Sequence, residues 1–363
     1  MYILPMRLLE PFTTSFGTVY MKHVLLARIE EKSGEEGWGE SVAGEGPWYS
    51  YETVEQDYLV ARRYLAPLLV GEEIGSAGDF VRLSSRIRGY PMAKAMFEEA
   101  LLDLEARLRG VSIARLLGGV KERVKVGVSI GIKTSVEELL KTVGKRLEEG
   151  YERIKIKIKP GWDVAPLKSI RKNFGDILLQ ADANAAYTLG HLHHLKQLDS
   201  LNLLMLEQPL DYRDLYGHSI LSRKLSTPIC LDESIRWLGD ASIAAMLGSG
   251  EIINVKPGRV GGPLEGKKIL DSAPGLGLGA WIGGMLETGI GRSFLVALAA
   301  HPSVGFHSDI SASNRYWEED IVEPPWELEA SSTLRVPKGR GLGVEVLREY
   351  IEEKAVEKWS MTA

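Results

Sequence analysis

The chain has 363 residues, 44% of them hydrophobic and 26% charged, and its formal net charge at pH 7 is −5. This composition is typical of a soluble globular protein, and no stretch approaches the ~18 uninterrupted apolar residues of a membrane span. The chain lacks a long basic segment, so we expect no nucleic-acid partner. Its first residues lack the basic and long apolar regions of a secretory signal, so we expect a cytoplasmic protein.

The first 119 residues predict a small α+β unit. An apolar, β-prone run at 24–29 is followed by a polar turn and by a second β-prone segment at 38–42, which indicates an antiparallel meander. From Ser50 the apolar residues recur with a helical period, and a second helical pattern extends from about Pro91 to Arg109. We therefore expect a domain of strands followed by helices over residues 1–119.

After Gly119, short apolar runs alternate with segments long enough for helices. Eight runs occur, at 124–132, 153–158, 177–181, 203–206, 228–231, 252–255, 278–282 and 303–307. Repeated strand and helix pairs are typical of parallel strands with crossover helices, and eight strands favour a closed barrel. We expect this α/β barrel to span 120–319. The tail, 320–363, is expected to carry a terminal helix around 347–358 and to complete the first domain.

One of these runs has an unusual pattern of charge. In the segment 153–159 lysines alternate with isoleucines, so Lys155, Lys157 and Lys159 would project from one face of a strand. For an arbitrary protein the simplest interpretation is an exposed strand with a polar face. The charged residues at the ends of the following apolar runs favour a different interpretation of this lysine face.

Charged residues end successive runs at a constant spacing. Lys157, Asp182, Glu207 and Asp232 follow one another at intervals of 25 residues, and Lys256 follows Asp232 after 24. Because one strand and helix unit of a barrel takes about 25–30 residues, this period places all five side chains at the carboxyl ends of successive strands. We predict that they face one mouth of the barrel.

Three of these residues are carboxylates, which would repel one another if they were buried without a counterion. Each acidic residue taken alone could be an ordinary surface carboxylate, but three in register between two lysines are poorly explained by chance. Asp182, Glu207 and Asp232 therefore predict a divalent-cation site. Three oxygen ligands with open positions suit Mg²⁺, with Mn²⁺ as a substitute.

Lys157 and Lys256 belong to the second and sixth predicted barrel strands, on opposite sides of the carboxylates. A partly desolvated ammonium near a cation loses proton affinity, which makes a neutral lysine available as a base. A bound metal also stabilises the enolate that forms when a proton next to a carboxylate is removed. The pattern predicts an enzyme that deprotonates the α-carbon of a small-molecule carboxylate.

The motifs around these residues resemble those of the enolase superfamily, and within it the muconate lactonising branch. They are a Lys-x-Lys pair on the second strand, DAN at 182–184, EQP at 207–209, DES at 232–234 and KPG at 256–258. Longer segments are similar to the o-succinylbenzoate synthase and N-succinylamino acid racemase group, namely 157–163, 182–188, 256–262 and 283–292. The likeness covers nearly the whole chain and implies a (β/α)7β modified TIM barrel with an α+β capping domain.

The resemblance also implies a role for each site residue. It assigns Asp182, Glu207 and Asp232 to the metal, Lys157 to acid and base catalysis, and Lys256 to a counterpart position across the substrate. Further positions are implied to contact the substrate or to support these groups: Ser129, Lys155, Asn184, Glu233, Arg259, Gly284, Met285 and Glu287.

Four of the matches and departures are informative. Lys155 matches the first lysine of the Lys-x-Lys motif, which is implied to depress the proton affinity of Lys157. Arg259 matches an arginine common in members that combine synthase and racemase activities. Lys159 stands where the group commonly has an acidic residue, and we expect it to be solvated at the rim. No histidine falls at the end of the seventh strand, which disfavours a mandelate racemase type of site.

The implied activity is that of o-succinylbenzoate synthase, the syn dehydration of 2-succinyl-6-hydroxy-2,4-cyclohexadiene-1-carboxylate in menaquinone biosynthesis. N-succinylamino acid racemisation is implied as a second activity or as the main role. A muconate cycloisomerase, a dipeptide epimerase and a metal-binding barrel without turnover remain alternatives. We expect loops near 13–19 and 45–51 to cover the mouth and to select the substrate, and we expect the chain to form a homo-oligomer.

Overall fold

The helices and strands of the protein are those of a computed structural model, which describes residues 1–362. Its β-strands are β1 (Tyr2–Thr13), β2 (Thr18–Glu30), β3 (Glu36–Ser41), β4 (Arg123–Lys125), β5 (Gly127–Ile130), β6 (Arg153–Lys157), β7 (Leu178–Asp182), β8 (Leu206–Glu207), β9 (Ile229–Leu231), β10 (Ile252–Val255), β11 (Gly279–Ile282), β12 (Val322–Glu323), β13 (Thr333–Arg335), β14 (Glu345–Val346) and β15 (Glu357–Lys358). Its α-helices are α1 (Val54–Val60), α2 (Ala77–Ser84), α3 (Pro91–Leu108), α4 (Ile113–Leu116), α5 (Val136–Glu148), α6 (Val164–Phe174), α7 (Leu192–Leu195), α8 (Leu215–Ser222), α9 (Leu238–Leu247), α10 (Pro257–Val260), α11 (Pro263–Ser272), α12 (Gly289–Ala299) and α13 (Arg348–Lys354).

The three N-terminal strands and β15 of the tail form an antiparallel sheet in the order β15-β1-β2-β3. Helix α3 packs against β3 closely, because a Cβ atom at Gly37 or Gly39 would collide with the backbone of α3 at Ala100 or Met96. The two glycines therefore permit a contact that any larger residue would block. This arrangement confirms the predicted meander and its helical layer, and α3 begins at the proline that the sequence indicated.

Seven parallel strands form a second sheet in the order β11-β10-β9-β8-β7-β6-β5. Three of the helices between them begin at polar caps: Ser135 precedes α5, Asp163 precedes α6 and Asp214 precedes α8, and each side chain accepts a hydrogen bond from a backbone N–H of the first turn. The predicted alternation of strand and helix is confirmed. After β7, however, only the four-residue α7 and short 3₁₀ turns cross back, instead of one long helix.

The eighth predicted strand, at 303–307, is not formed. Single parallel bridges join Val304 to Ala280, Asp309 to Gly283 and Ser308 to Val126, so an irregular segment lies between β11 and β5 and closes the barrel. The backbone hydrogen bonds of this segment alternate between its two sides. Asp309 N donates to Ile282 O of β11 at 2.8 Å, and Ser308 N donates to Lys125 O, just before β5, at 2.9 Å. The segment therefore forms no continuous run of β-bridges with the strand on either side, although it closes the barrel.

The first predicted barrel run, 124–132, is divided between two sheets. Strand β5 belongs to the barrel, whereas β4 pairs antiparallel with β13 of the tail. The tail also reaches the N-terminal sheet, where β15 pairs with β1. The described part of the tail, 320–362, thus contacts both units, and the exact boundaries of the two domains, 1–119 and 120–319, stay predictions.

Buried polar contacts join the N-terminal unit to the barrel. The Glu40 carboxylate on β3 accepts hydrogen bonds from Thr288 Oγ1 at 2.6 Å and from Gly291 N at 3.1 Å at the start of α12. Glu98 on α3 accepts from Leu264 N at 2.7 Å at the start of α11. The N-terminal unit is thereby held over the barrel mouth. Within residues 1–362, no helix combines the length and apolarity needed to cross a membrane.

Candidate active site

The strand ends bring the spaced residues together. In the parallel register Lys157 lies opposite Asp182, and Asp182 lies opposite Glu207. Asp232 and Lys256 directly follow β9 and β10, the next two strands of the sheet. All five side chains are buried. The constant spacing therefore places them at one end of the barrel, as the sequence predicted.

The lysine face of β6 points into the barrel. Lys155 is 2% exposed and Lys157 is 7% exposed, whereas Lys159 lies beyond the strand and is exposed to solvent. Both faces of β6 are buried, which contradicts the exposed-strand interpretation. The two ammonium groups meet at one carboxylate oxygen, Asp182 Oδ2, at 2.7 Å from Lys157 and 3.1 Å from Lys155.

A second group of contacts surrounds the other two carboxylates. Glu207 accepts from Lys155 Nζ at 3.0 Å and from Asn254 Nδ2 at 2.7 Å. Asp232 accepts from Lys256 Nζ at 2.8 Å and forms an ion pair with Arg259. The lysines and Arg259 thus neutralise the three carboxylates.

A cavity of about 400 Å³ opens above this network. Its wall includes predicted substrate-facing and catalytic residues, namely Ser129, Lys155, Lys157, Asn184, Lys256, Gly284, Met285 and Glu287. Residues from both predicted covering loops also line it, among them Phe16, Val19, Trp48 and Tyr49. Glu233 is not among the residues that line the cavity, and it accepts a hydrogen bond from Asn184 Nδ2 at 2.9 Å.

Comparison with known families and structures identifies this architecture. Residues 2–118 match the mandelate racemase/muconate lactonizing enzyme N-terminal domain, and residues 138–350 match the enolase C-terminal domain-like family. A solved structure of an enolase superfamily member from Listeria innocua superposes with a TM-score of 0.93 at 39% identity, covering 98% of this chain and 96% of that one. The chain belongs to the enolase superfamily. The resemblance and the fold class predicted from the motifs are thereby confirmed.

Two relatives within the superfamily are similar over nearly their whole length. An o-succinylbenzoate synthase from Geobacillus kaustophilus is 45% identical over 349 residues, which cover 96% of this chain and 93% of that protein. An N-succinylamino acid racemase from an Amycolatopsis species is 46% identical over 354 residues, which cover 97% and 95% respectively. Members of the superfamily are metal-dependent.

The electrostatics of the site reflect three carboxylates in close proximity. Burial raises the pKa of Glu207 to about 8, and the negative charges of Asp182 and Asp232 add to this effect. Burial also opposes ionisation of Asp182, but the adjacent Lys157 and Lys155 outweigh it and lower the pKa of Asp182. The site therefore needs positive charge to keep its carboxylates ionised.

The chemistry of the carboxylates fits a hard divalent cation. Asp182, Glu207 and Asp232 offer only oxygen donors, from three adjacent strands, and their mutual repulsion would be relieved by a dication. In the conformations described for residues 1–362, the lysines and Arg259 occupy these oxygens, and no three acidic, histidine or cysteine side chains are grouped to hold a metal. Metal binding would therefore require the ammonium groups to release carboxylate oxygens.

Sequence reasoning missed several residues of the site, among them Asn254, Asp309 and Tyr49. Asp309 accepts from Lys155 Nζ at 2.8 Å and from Ser129 Oγ at 2.8 Å. Tyr49 accepts from Lys256 Nζ at 3.1 Å. Asp309 stands two residues after the run 303–307, so the rule that charged residues end barrel strands could have found it. Tyr49 lies in an irregular loop, and no sequence pattern indicates its contact.

Replacing Asp309 with asparagine is expected to lower the free energy of unfolding by about 1.5–3 kcal/mol at pH 7, because a charged hydrogen bond to buried Lys155 is weakened. Lys155 lowers the pKa of Asp309, although burial alone would raise it. An aspartate whose pKa is lower in the folded state than in the unfolded state stabilises the folded state at pH values above its ordinary pKa. This stabilisation is lost as the pH falls. The difference between the two proteins in urea unfolding should therefore shrink as the pH falls below about 4. An unchanged difference across this range would contradict the assignment.

Proposed function

We propose that the chain is a metal-dependent o-succinylbenzoate synthase, which dehydrates 2-succinyl-6-hydroxy-2,4-cyclohexadiene-1-carboxylate to an aromatic product in menaquinone biosynthesis. The observation that carries this proposal is that Lys157 at the end of β6 and Lys256 directly after β10 both line one covered cavity, with three carboxylates at the ends of the intervening strands. The similarity to synthases over nearly the whole chain supports the choice of substrate.

Lys157 is the residue proposed to move the proton. Its Nζ lies 2.7 Å from Asp182 Oδ2 and 2.7 Å from Asn184 Oδ1, so the amine is held at a defined place in the cavity wall. As a neutral amine it would remove the proton α to the substrate carboxylate and become an ammonium. The same ammonium would then protonate the departing hydroxyl on the same face, so that water leaves and the ring becomes aromatic.

The metal is proposed to be Mg²⁺, held by Asp182, Glu207 and Asp232, with Mn²⁺ as a substitute. When bound, such an ion supplies positive charge next to the substrate carboxylate and favours the negative charge that develops on deprotonation. Lys256, on the far side of the carboxylates, contributes a second positive charge facing the same cavity.

A second candidate function is racemisation of N-succinylamino acids. The position of Lys256 favours it, because three strands separate β10 from β6 and both lysines line one cavity. Two bases on opposite sides of an α-carbon can remove a proton from one face and return one to the other. The similarity to a racemase supports this activity at the same site.

The test is an assay of the purified chain with Mg²⁺ against both substrate classes. Formation of o-succinylbenzoate is followed by absorbance, and α-proton exchange of N-succinylamino acids is followed by NMR in D₂O. Dehydration together with slower exchange would support a synthase with a secondary racemase activity. Failure to act on either class would exclude both functions and favour a cycloisomerase, an epimerase or a binding protein.

Adding Mg²⁺ to the metal-free protein is expected to raise the melting temperature, because a ligand that binds only the folded state stabilises it. Glu207→Gln should reduce this increase strongly, since the amide is a weaker ligand than the carboxylate. Glu72→Gln, at an exposed position outside the site, is the matched control and should behave as wild type. Differential scanning calorimetry with Mg²⁺ and with EDTA measures the shift. Equal shifts in both variants would contradict the ligand assignment.

A further inference from the structure

Tyr49 joins the covering loop to the catalytic centre. The loop lies between β3 and α1, and Tyr49 is half-buried, with its phenol directed towards Lys256. Its ring also lies 6.4 Å from the ring of Phe16, which belongs to the other covering loop. Tyr49 is therefore placed where both loops meet the cavity.

The contact between Tyr49 and Lys256 has two parts. Lys256 Nζ donates to the phenol oxygen at 3.1 Å and lies 4.7 Å from the centroid of the ring. Arg259 Nη1 donates to the same oxygen at 3.0 Å. Burial raises the pKa of Tyr49 to about 12, so the hydroxyl stays neutral at neutral pH. A neutral hydrogen-bond acceptor and an aromatic face together form a suitable binding site for an ammonium group.

Lys256 is held from two directions. Asp232 binds its Nζ from the barrel at 2.8 Å, and Tyr49 binds it from the covering loop. A lysine side chain has four flexible carbons and about 2 kcal/mol of rotamer entropy, so a single contact leaves its tip poorly oriented. A metal held by Asp232 would displace Lys256 from that carboxylate, and Tyr49 would then be the one of these two partners that still binds the ammonium.

Lys157 has no comparable contact with the covering loops. Its hydrogen bonds go to Asp182 and Asn184, both of which belong to the barrel. The two lysines therefore differ in how they are positioned. The hydrogen bonds of Lys157 go to barrel residues, and the covering loop at 13–19 reaches it indirectly, through Ser15 Oγ donating to the backbone oxygen of Asn184 at 3.3 Å. Lys256 is bound directly by Tyr49 of the other covering loop.

We propose that Tyr49 is a positioning residue for Lys256, so that proton transfer on the Lys256 face of the substrate depends on the covering loop, whereas proton transfer on the Lys157 face does not. This inference rests on the second candidate function, racemisation, because it requires that both lysines exchange protons with an α-carbon. It goes beyond that function by assigning the loop to one face of the reaction. Misplacement of a reacting group by about 1 Å costs about 100-fold in rate.

The test compares α-proton exchange of the two enantiomers of one N-succinylamino acid in D₂O. Lys157→Ala and Lys256→Ala first establish which enantiomer each lysine deprotonates. Tyr49→Phe keeps the ring and loses the hydroxyl, and Tyr49→Leu loses both. We expect Tyr49→Phe to slow exchange of the enantiomer served by Lys256 by about 10-fold and Tyr49→Leu by about 100-fold. Exchange of the other enantiomer should change less than about threefold.

The outcomes separate this inference from the proposed function. Equal slowing of both enantiomers would assign Tyr49 a general role in closing the cavity and would overturn the inference alone. Unchanged exchange of both enantiomers in both Tyr49 variants would also overturn the inference alone. A wild-type chain that exchanges neither enantiomer would overturn the racemase activity and the inference with it. Tyr64→Phe, at an exposed tyrosine of the same N-terminal unit, is the matched control and should leave both rates as in wild type.

Discussion

Lys157→Ala is expected to lower the rate of dehydration by ~10²–10⁴-fold, the contribution typical of a positioned acid and base. The proposed reaction uses this one amine twice, to remove the α-proton and to protonate the leaving hydroxyl. The variant should still fold, because Lys155 continues to bind Asp182 at 3.1 Å and Glu207 at 3.0 Å. Steady-state kinetics with the cyclohexadiene substrate measure the loss, and calorimetry with Mg²⁺ should show that metal binding is retained.

Lys159→Ala is the matched control for this change. Lys159 is only two residues further along the chain, but it lies past the end of β6 and is exposed to solvent. We expect its replacement to leave the rate within about twofold of wild type, because Lys159 is not among the residues that line the cavity and surface substitutions change the free energy of unfolding little. Dehydration at the wild-type rate by Lys157→Ala would show that another group moves the proton and that the role of β6 has been misassigned.

Lys256→Ala is expected to separate the two candidate activities. Racemisation needs a base on each face, so loss of Lys256 should lower its rate by ~10²–10⁴-fold. Dehydration on the Lys157 face should fall less, because only the positive charge of Lys256 is lost there. Asp232 keeps its ion pair with Arg259, which should preserve the fold. Racemisation is followed by polarimetry and dehydration by absorbance.

The ratio of the two losses is the decisive quantity. Equal losses of dehydration and racemisation would mean that Lys256 acts in the same way in both reactions, which contradicts the two-face scheme. If Lys256→Ala loses α-proton exchange for one enantiomer and retains it for the other, the two-face scheme is supported directly. This comparison uses one protein preparation and one metal concentration, so differences in folding or metal content affect both activities alike.

The regular spacing of charged residues at the barrel strand ends could be predicted from the sequence. Lys157, Asp182, Glu207, Asp232 and Lys256 follow a period set by one strand and helix unit, and successive parallel strands end at the same rim. This period depends on local structure and chain length alone. It therefore identified the five residues as neighbours before any contact between distant segments was known.

The direction of the lysine face and the closure of the site depended on tertiary structure. An alternating strand such as β6 can expose either face, and only the closed barrel turns Lys155 inwards to Glu207 and Asp309. The segment that carries Asp309 makes single bridges to two strands instead of a ladder, so its strand pattern was misleading.

Tyr49 illustrates the same limit most clearly. It is separated from Lys256 by 207 positions along the chain, and its loop has no periodic pattern. Local sequence signals report how a segment folds, whereas such a contact depends on how the N-terminal unit docks on the barrel. The sequence by itself determined the residue types of the candidate site, their period and the barrel. The tertiary structure decided which face is buried, how the carboxylates are neutralised and which loop residue reaches Lys256, because these depend on packing between distant segments.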